Sequence, residues 1–410
     1  MYSNLNTLSC AFSKRNQKNY VLNSVTKICF SRERIMYKFS SKCFTCWKTA
    51  FIAVVITLAL QGTSMAVQIN ATWNGSIDNN WNTNLNWNPS TSVPNNSAGT
   101  TYNVHIDSDS GSSSVNLNMT TTIDSLTVDN NDSLNFNNTR DLTIAGGGVT
   151  NNGTINMNGT NSPTEFTIQG GGSLNGTGSV VMNNAIQGTN RILTDNTTMT
   201  HVGTHTISGA GQLLANSGGM INNGTIIADQ SNTLSIDPNA LGFTNNGTMQ
   251  ATGTGGFTFN AGTFTNTGQT IDIQDGSKLD LNNGVVLNNG TLKTTGTGVI
   301  NMLGTGASTQ TLNNVTLDAG STVRQGNTKD TIITGGLTNN GTWELNGTNT
   351  ATDLTFNGSS ALNGTGSVVM SDAIQGTNRI LTDGTTMTQG ANHTIEGAGQ
   401  IIASMVNNGT

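Results

Sequence analysis

The feature that most constrains this chain is a short internal repeat. The tetrapeptide Asn-Asn-Gly-Thr occurs six times, at intervals close to multiples of about 23 residues. A unit of that length with four or five apolar side chains cannot bury them alone, whereas coils stacked about 4.8 Å apart can, because each strand pairs with those above and below. The sequence therefore predicts an all-β fold, a right-handed parallel β-helix. The tetrapeptides start at Asn151, Asn222, Asn245, Asn288, Asn339 and Asn407.

A much longer duplication overlies the short repeat. Residues 148–216 align without gaps on residues 336–404, with 45 of 69 positions identical. Because the offset between the two copies corresponds to about eight coils, we expect the second copy to keep the phase of the first. His201 is replaced by Gln389 in the second copy, a change that predicts a side chain facing water.

Between the repeats, polar and apolar residues alternate in short stretches such as Val115-Asn-Leu-Asn-Met119. This pattern is typical of strands with one buried face, and Gly and Asn-Gly supply the turns. We expect Asn side chains at equivalent turns to form hydrogen-bonded ladders from coil to coil. Residues 115–410 are thus assigned to about 13 coils, which predicts a rod on the order of 60 Å long.

Residues 67–114 are predicted to cap the first coil. The segment holds three tryptophans, Trp73, Trp81 and Trp87, and an exposed first coil would be a sheet edge open to aggregation. The alternative is a carbohydrate-binding platform, in which the indole faces stack on sugar rings.

The N-terminal residues predict export. Residues 50–60 form an apolar run that follows Lys38, Lys42 and Lys48. This run would rise only about 16 Å as a helix, so a signal peptide over residues 36–66 is favoured over a spanning or buried helix. Small residues precede a cleavage site between Ala66 and Val67. Residues 1–35 are an uncertain leader extension, since translation starts at either Met1 or Met36.

Charge and cysteine content exclude several functions. Residues 67–410 contain seven Lys and Arg against 21 Asp and Glu, so no basic surface is available for a nucleic-acid partner. All four cysteines precede Ala66, and the Cys43-Phe-Thr-Cys46 spacing lacks a second Cys or His pair. We find no zinc-protease, phosphate-loop, nucleophile-elbow or calcium-roll motif. We therefore expect no catalytic residue, cofactor or metal site.

Two alternative functions remain open. A polysaccharide-degrading β-helix enzyme would need charged residues clustered on one face. One combination of Arg, Asp and His, Arg191, Asp195 and His205, recurs in the second copy of the duplication as Arg379, Asp383 and His393. The spacing within each copy allows an Arg–Asp salt bridge. Ice or glycan binding would need aligned Thr-x-Thr pairs, such as Thr204/Thr206 and Thr252/Thr254. Including the tryptophans, the candidate ligand-binding residues are Trp73, Trp81, Trp87, Arg191, Asp195, His205, Arg379, Asp383 and His393.

The Trp-Asn-Gly and Asn-Trp opening after a signal peptide, followed by Asn-Asn-Gly-Thr coils, resembles the repetitive β-helical stalks of bacterial exported surface proteins. These include autotransporter passengers and related adhesin-like proteins. The resemblance implies secretion or display at the cell outer membrane, a structural or adhesive role, and partners among the secretion machinery and host-cell, matrix or glycan surfaces. From the residues themselves we expect no transmembrane span in the mature part of this sequence. Because the sequence ends within a repeat, we expect it to be a fragment.

The cleavage site is directly testable. We expect the exported protein to begin at Val67, as read by N-terminal sequencing or intact mass, because Ser64 and Ala66 provide the small side chains that signal peptidase requires. An Ala66→Trp variant should stay unprocessed. A mature protein that retains residues 50–60 would contradict the assignment.

Overall fold

The structure is a computed structural model that describes residues 66–107, 111–304, 309–371 and 374–410. Residues 65–410 form a single structural unit. The predicted leader extension, signal peptide and Cys43-Phe-Thr-Cys46 pair lie outside the described residues. No helix in the described part of the chain is long and apolar enough to cross a membrane.

Among the described residues nearly all regular structure is β-strand, and Asn84–Asn86 form a 3-10 turn. The strands are β1 (Val67–Trp73), β2 (Trp87–Asn88), β3 (Thr100–Ile106), β4 (Ser114–Leu117), β5 (Thr121–Val128), β6 (Ser133–Phe136), β7 (Leu142–Asn151), β8 (Thr154–Met157), β9 (Thr164–Ile168), β10 (Ser173–Asn175), β11 (Ser179–Met182), β12 (Asn190–Leu193), β13 (Thr198–His201), β14 (Thr206–Gly209), β15 (Gly211–Leu213), β16 (Gly219–Asn222), β17 (Thr225–Ala228), β18 (Leu234–Ile236), β19 (Phe243–Asn245), β20 (Thr248–Ala251), β21 (Phe257–Phe259), β22 (Gly262–Thr265), β23 (Thr270–Ile273), β24 (Lys278–Leu281), β25 (Val285–Asn288), β26 (Thr291–Thr294), β27 (Val299–Met302), β28 (Gln310–Leu317), β29 (Thr322–Gly326), β30 (Asp330–Asn339), β31 (Thr342–Asn346), β32 (Thr352–Phe356), β33 (Ala361–Asn363), β34 (Ser367–Met370), β35 (Asn378–Gln389), β36 (Thr394–Gly397) and β37 (Gln400–Asn407).

From β10 onward the strands stack in three columns, because each strand from β10 to β25 pairs in parallel with the strand three further along the chain. Column A contains β10, β13, β16, β19, β22 and β25. Column B contains β11, β14, β17, β20, β23 and β26, and column C contains β12, β15, β18, β21, β24 and β27. The predicted parallel β-helix of about 13 coils with about 23 residues each is confirmed.

The interior is an apolar stack with one layer per coil. In column B, Ile207, Ile226 and Met249 lie in register on successive coils and are at most 1% exposed. The residues on either side of each point outward, as strand alternation requires. Burial of such side chains contributes about 1.5–3 kcal/mol each, and only neighbouring coils provide that burial. Coil stacking is therefore the source of the hydrophobic core.

The Asn-Asn-Gly-Thr motif forms a corner between columns. Asn222 is buried and its Oδ1 accepts a hydrogen bond from the Gly224 amide at 3.2 Å, while Asn223 is exposed and Thr225 starts the next strand. Side-chain to backbone bonds of this kind stabilise turns. The same Asn-to-Gly bond occurs at Asn245, Asn339 and Asn407.

The expected Asn ladder is confirmed inside the coils. Asn222 Nδ2 donates to Asn245 Oδ1 at 2.8 Å, and Asn245 Nδ2 donates to Asn266 Oδ1 at 2.7 Å. All three side chains are buried, so each amide depends on its neighbours for hydrogen bonds. The hydrogen bonds of this buried ladder therefore hold adjacent coils in register.

The expectation that the duplication keeps its phase is wrong. β10 of the first copy lies in column A, whereas its counterpart β33 continues column B through β26, β28 and β30. The second copy is therefore rotated by one column, a third of a coil. The error arises because the length of the coils varies, so the offset between the copies does not equal a whole number of turns.

Glycine at one corner is required by close packing. Gly209 has φ +115°, and a Cβ there would lie 1.8 Å from the carbonyl oxygen of Met182. Its duplicate Gly397 has φ +103° and the same approach to Met370. Only glycine fits this combination of backbone angle and contact.

Two adjacent asparagines test the buried ladder. We expect Asn245→Ala to lower the free energy of unfolding by about 1–3 kcal/mol, because it removes the Oδ1 acceptor of Asn222 Nδ2 and the Nδ2 donor to Asn266 Oδ1 in the core. Asn246→Ala removes only an exposed bond to Asn223 and should change stability by less than about 0.5 kcal/mol. Urea unfolding measures both. Equal losses of unfolding free energy in the two variants would contradict a stabilising role for the inner Asn ladder.

Candidate functional site

The Arg191, Asp195 and His205 combination does not assemble into a site. Arg191 lies on the outer face, and its Nη1 donates to Glu165 Oε1 on the preceding coil at 3.1 Å. His205 is fully buried in the core. The Arg191–Asp195 salt bridge that the spacing allows does not form, because strand pairing places the Glu165 carboxylate directly across from Arg191.

The second copy repeats this arrangement. Arg379 Nε and Nη2 donate to the two carboxylate oxygens of Asp353, its register partner on the preceding coil. The hydrogen bonds to Asp353 raise the pKa of the Arg379 guanidinium. Arg379 therefore pairs with Asp353 instead of Asp383, and His393 is again buried.

The two aspartates stabilise turns. Asp195 accepts hydrogen bonds from the Gly170 amide at 3.1 Å and the Thr197 hydroxyl at 2.7 Å. Asp383 accepts the equivalent bonds from Gly358 and Thr385, and these bonds, led by the Thr385 hydroxyl, lower its pKa. Both carboxylates are occupied in coil-to-coil contacts.

His201 and His205 belong to a buried hydrogen-bonded chain. Asn151 Nδ2 contacts His205 Nε2 at 3.0 Å, His205 Nδ1 contacts His201 Nε2 at 3.1 Å, and His201 Nδ1 contacts Asn222 Oδ1 at 2.7 Å. An amide Nδ2 only donates and Oδ1 only accepts, so the chain runs in one direction. Both imidazoles are then neutral with the proton on Nδ1. The chain continues into the Asn222–Asn245–Asn266 ladder.

The prediction that residue 201 and its counterpart face water is wrong. His201 is fully buried, and Gln389 is 1% exposed. Gln389 Nε2 donates to the backbone carbonyl of His393 at 2.7 Å, so His393 Nδ1 has no hydrogen-bond partner among the described residues. Polar residues at this corner point inward because the inner ladder supplies their hydrogen bonds.

Burial lowers the pKa values of all three buried histidines. Burial, assisted by the nearby His201, lowers the pKa of His205 to about 3. Burial lowers the pKa of His393 to about 4, and burial also lowers the pKa of His201. A second proton on His205 would direct an N–H at the Asn151 amide hydrogens, which explains the preference for the neutral form.

The tryptophans pack against one another. Trp87 meets Trp73 and Trp81 edge to face at centroid distances of 4.9 and 4.8 Å. All three are at most 3% exposed, and Trp81 Nε1 donates to the Pro94 carbonyl at 3.0 Å. No indole face is open to a sugar ring, so the arrangement corresponds to the capping alternative. The parallel ladder already begins within this segment, where β1 pairs with β3.

One group of side chains in the described part of the chain has the geometry of metal ligands. The ligand atoms of His105, Asp107 and Asp129 lie within 4.8 Å of one another. His105 Nε2 is 2.9 Å from Asp129 Oδ2, and all three residues are partly exposed. This group was not predicted from the sequence, although His105-Ile-Asp107 places two potential ligands on one strand face.

The third member of the group is hard to find by sequence inspection. Asp129 lies 24 residues after His105, on the next coil, and can be recognised as its neighbour only when the coil register is known.

Comparisons of this chain with protein-family models, curated proteins and solved structures found no match.

The buried histidines predict acid sensitivity. Their folded-state pKa values lie below the value of about 6.5 expected in the unfolded chain, so their stabilising contribution is complete above pH 6.5 and is lost as the pH falls towards the folded-state values. For His205 alone the loss between about pH 7.5 and pH 5 is about 2 kcal/mol. Urea unfolding at the two pH values measures it.

Two substitutions provide the comparison. His205→Gln keeps a donor and an acceptor but removes the titrating group, so it should reduce the acid-dependent loss by about 2 kcal/mol. His201→Gln reproduces Gln389 of the second copy and serves as a tolerated substitution in the same chain. An unchanged pH dependence in His205→Gln would show that His205 is not held neutral.

Proposed function

We propose that this chain is an exported, non-catalytic β-helical stalk, similar to autotransporter passengers and adhesin-like proteins, with a structural display or adhesion role. The observation that carries the proposal is that many polar side chains of the outer face bond to side chains on an adjacent coil. Such a surface stabilises a long stack and leaves few charged groups available for chemistry.

The cations illustrate this use of the outer face. Of the seven Lys and Arg in residues 67–410, five form ion pairs. Exposed pairs of this kind contribute only about 0–1 kcal/mol each, so their importance is that they occupy the cations. A β-helix that cleaves acidic polysaccharides needs a cluster of such groups facing the substrate. The paired cations are Arg191, Lys278, Lys293, Arg324 and Arg379.

Asparagine side chains on the outer face also form hydrogen bonds to the adjacent coil. Asn156 Nδ2 donates to Asn135 Oδ1 at 2.9 Å, and Asn282 Nδ2 donates to Asn260 Oδ1 at 2.8 Å, in each case between adjacent coils. Equivalent exterior pairs occur along the stack. They include Asn103–Asn70, Asn118–Asn82, Asn138–Asn161, Asn246–Asn223, Asn313–Asn288, Asn314–Asn289 and Asn327–Asn349.

The position of the first strand supports export with signal removal. β1 begins at Val67, the residue that would follow cleavage after Ala66. Processing would therefore leave the first paired strand intact. In this proposal the secretion machinery is the first partner, and host-cell, matrix or glycan surfaces at the outer membrane or beyond are the later ones.

A second candidate, ice or glycan binding, is favoured by a column of hydroxyl groups. One register position on the ladder that runs through β4, β6, β8 and column B is Ser or Thr on successive coils, and none of these residues is buried. Hydroxyls spaced by the coil repeat present a regular row to water or to a sugar chain. The row comprises Ser114, Ser133, Thr154, Ser179, Thr206, Thr225, Thr248, Thr270, Thr291 and Thr316.

Binding and turnover assays test the proposal together. We expect the protein to bind cells, matrix or immobilised glycans without shortening any acidic polysaccharide, as measured by viscosity and by release of reducing ends. Arg191→Ala combined with Arg379→Ala should leave binding unchanged, because both side chains are used in ion pairs. Depolymerisation by the wild type that this double variant loses would establish the enzyme alternative.

The hydroxyl row is tested with the same preparation. Thr225→Lys combined with Thr248→Lys interrupts the row at adjacent coils. Inhibition of ice recrystallisation by the wild type, lost in this variant, would favour the second candidate over adhesion. Absence of that inhibition, together with surface binding, supports the stalk proposal.

A further inference from the structure

We propose that His105, Asp107 and Asp129 form a binding site for one divalent transition-metal ion, represented by Zn²⁺. The proposal is independent of the stalk function and concerns the first coils only. It rests on the placement of the three side chains by two adjacent strands and on the chemistry of their donor atoms.

Strand alternation directs two of the ligands outward. Val104 and Ile106 on β3 are 2% and 0% exposed, so His105 and Asp107 project from the opposite face. The Asp129 amide donates to the Ile106 carbonyl at 3.1 Å, which extends the ladder between β3 and β5 by one residue. The three side chains therefore converge because of backbone hydrogen bonding.

The spacing of the ligand atoms fits a shared ion. Zn²⁺ binds nitrogen and carboxylate oxygen at about 2.0–2.2 Å, and tetrahedral geometry then separates two ligand atoms by about 3.4 Å. His105 Nε2 and Asp129 Oδ2 lie 2.9 Å apart, and the ligand atoms of all three residues lie within 4.8 Å of one another. Small side-chain rotations bring all three to the required distance.

The donor set selects the class of ion. One imidazole nitrogen with two carboxylates suits Zn²⁺ and related transition metals, whereas Ca²⁺ takes six to eight oxygen ligands and Mg²⁺ retains its waters. The two carboxylates balance the charge of a dication. His105 and Asp129 side chains are 38% and 39% exposed, which leaves room for a water or an exogenous ligand as the fourth donor.

His105 is well suited to a specific assay because the other histidines are inaccessible. The chain contains four His, and His201, His205 and His393 are all 0% exposed. Binding of an ion through a surface imidazole is therefore attributable to His105. A bound ion would join the end of β3 to the end of β5 and stabilise the fold by linkage.

Zinc titration of the full chain tests the proposal. Isothermal titration calorimetry should show one equivalent of Zn²⁺ bound, and thermal unfolding should shift upward on addition of Zn²⁺. His105→Gln, Asp107→Asn and Asp129→Asn should each weaken binding on the order of 10–100-fold or more, because each removes a ligand. The three residues are partly exposed, so the variants should unfold like the wild type in the absence of metal.

Two controls keep the result specific. In every arm the four cysteines are replaced by serine, since thiolates bind Zn²⁺. Asp229→Asn removes an exposed carboxylate elsewhere on the coils and should leave Zn²⁺ affinity unchanged. No Zn²⁺ binding by the cysteine-free protein, or equal affinity in the His105, Asp129 and Asp229 variants, would overturn the proposal.

Discussion

The structure depends on parallel pairing between residues that lie one coil apart in the chain. Each strand has its hydrogen-bond partners on the coils before and after it, and each apolar side chain is sealed by equivalent side chains on those coils. Neither the backbone bonds nor the core can form within one coil. Local sequence therefore has only to supply turns and alternation, and stacking provides the stability.

Asparagine serves the stack in two ways. Outside, amides such as those of Asn135 and Asn156 bond from coil to coil in place of charged groups. Inside, Asn222 both closes a turn and joins a buried chain that includes His201. A chain with few charges can thus keep its coils in register, since neutral amides provide a donor and an acceptor in one side chain. The low charge content is consequently compatible with a polar, well-bonded surface.

The sequence predicts the fold class because alternation and turn spacing are local properties. The burial of Leu134 and Phe136 and the inner Asn ladder follow from them. Contacts between coils are harder to predict, because the partner lies a whole coil away and the length of the coils varies. For this reason the structure pairs Arg191 with Glu165 and not with Asp195, and the predicted phase of the duplication is wrong. The inward direction of His201 was missed because only the neighbouring ladder makes a buried imidazole favourable.

Register between coils can be measured directly by disulfide formation in a chain with its native cysteines replaced. Thr225 and Thr248 are register partners on adjacent coils, with Cα atoms expected about 4.8 Å apart, within the range a disulfide spans. Gln250 lies two residues further along the same strand, at about 8 Å from Thr225, beyond that range. The account predicts rapid oxidation of the Thr225→Cys, Thr248→Cys pair and none of the Thr225→Cys, Gln250→Cys pair. The reverse result, or equal oxidation of both pairs, would contradict the stacked-coil register.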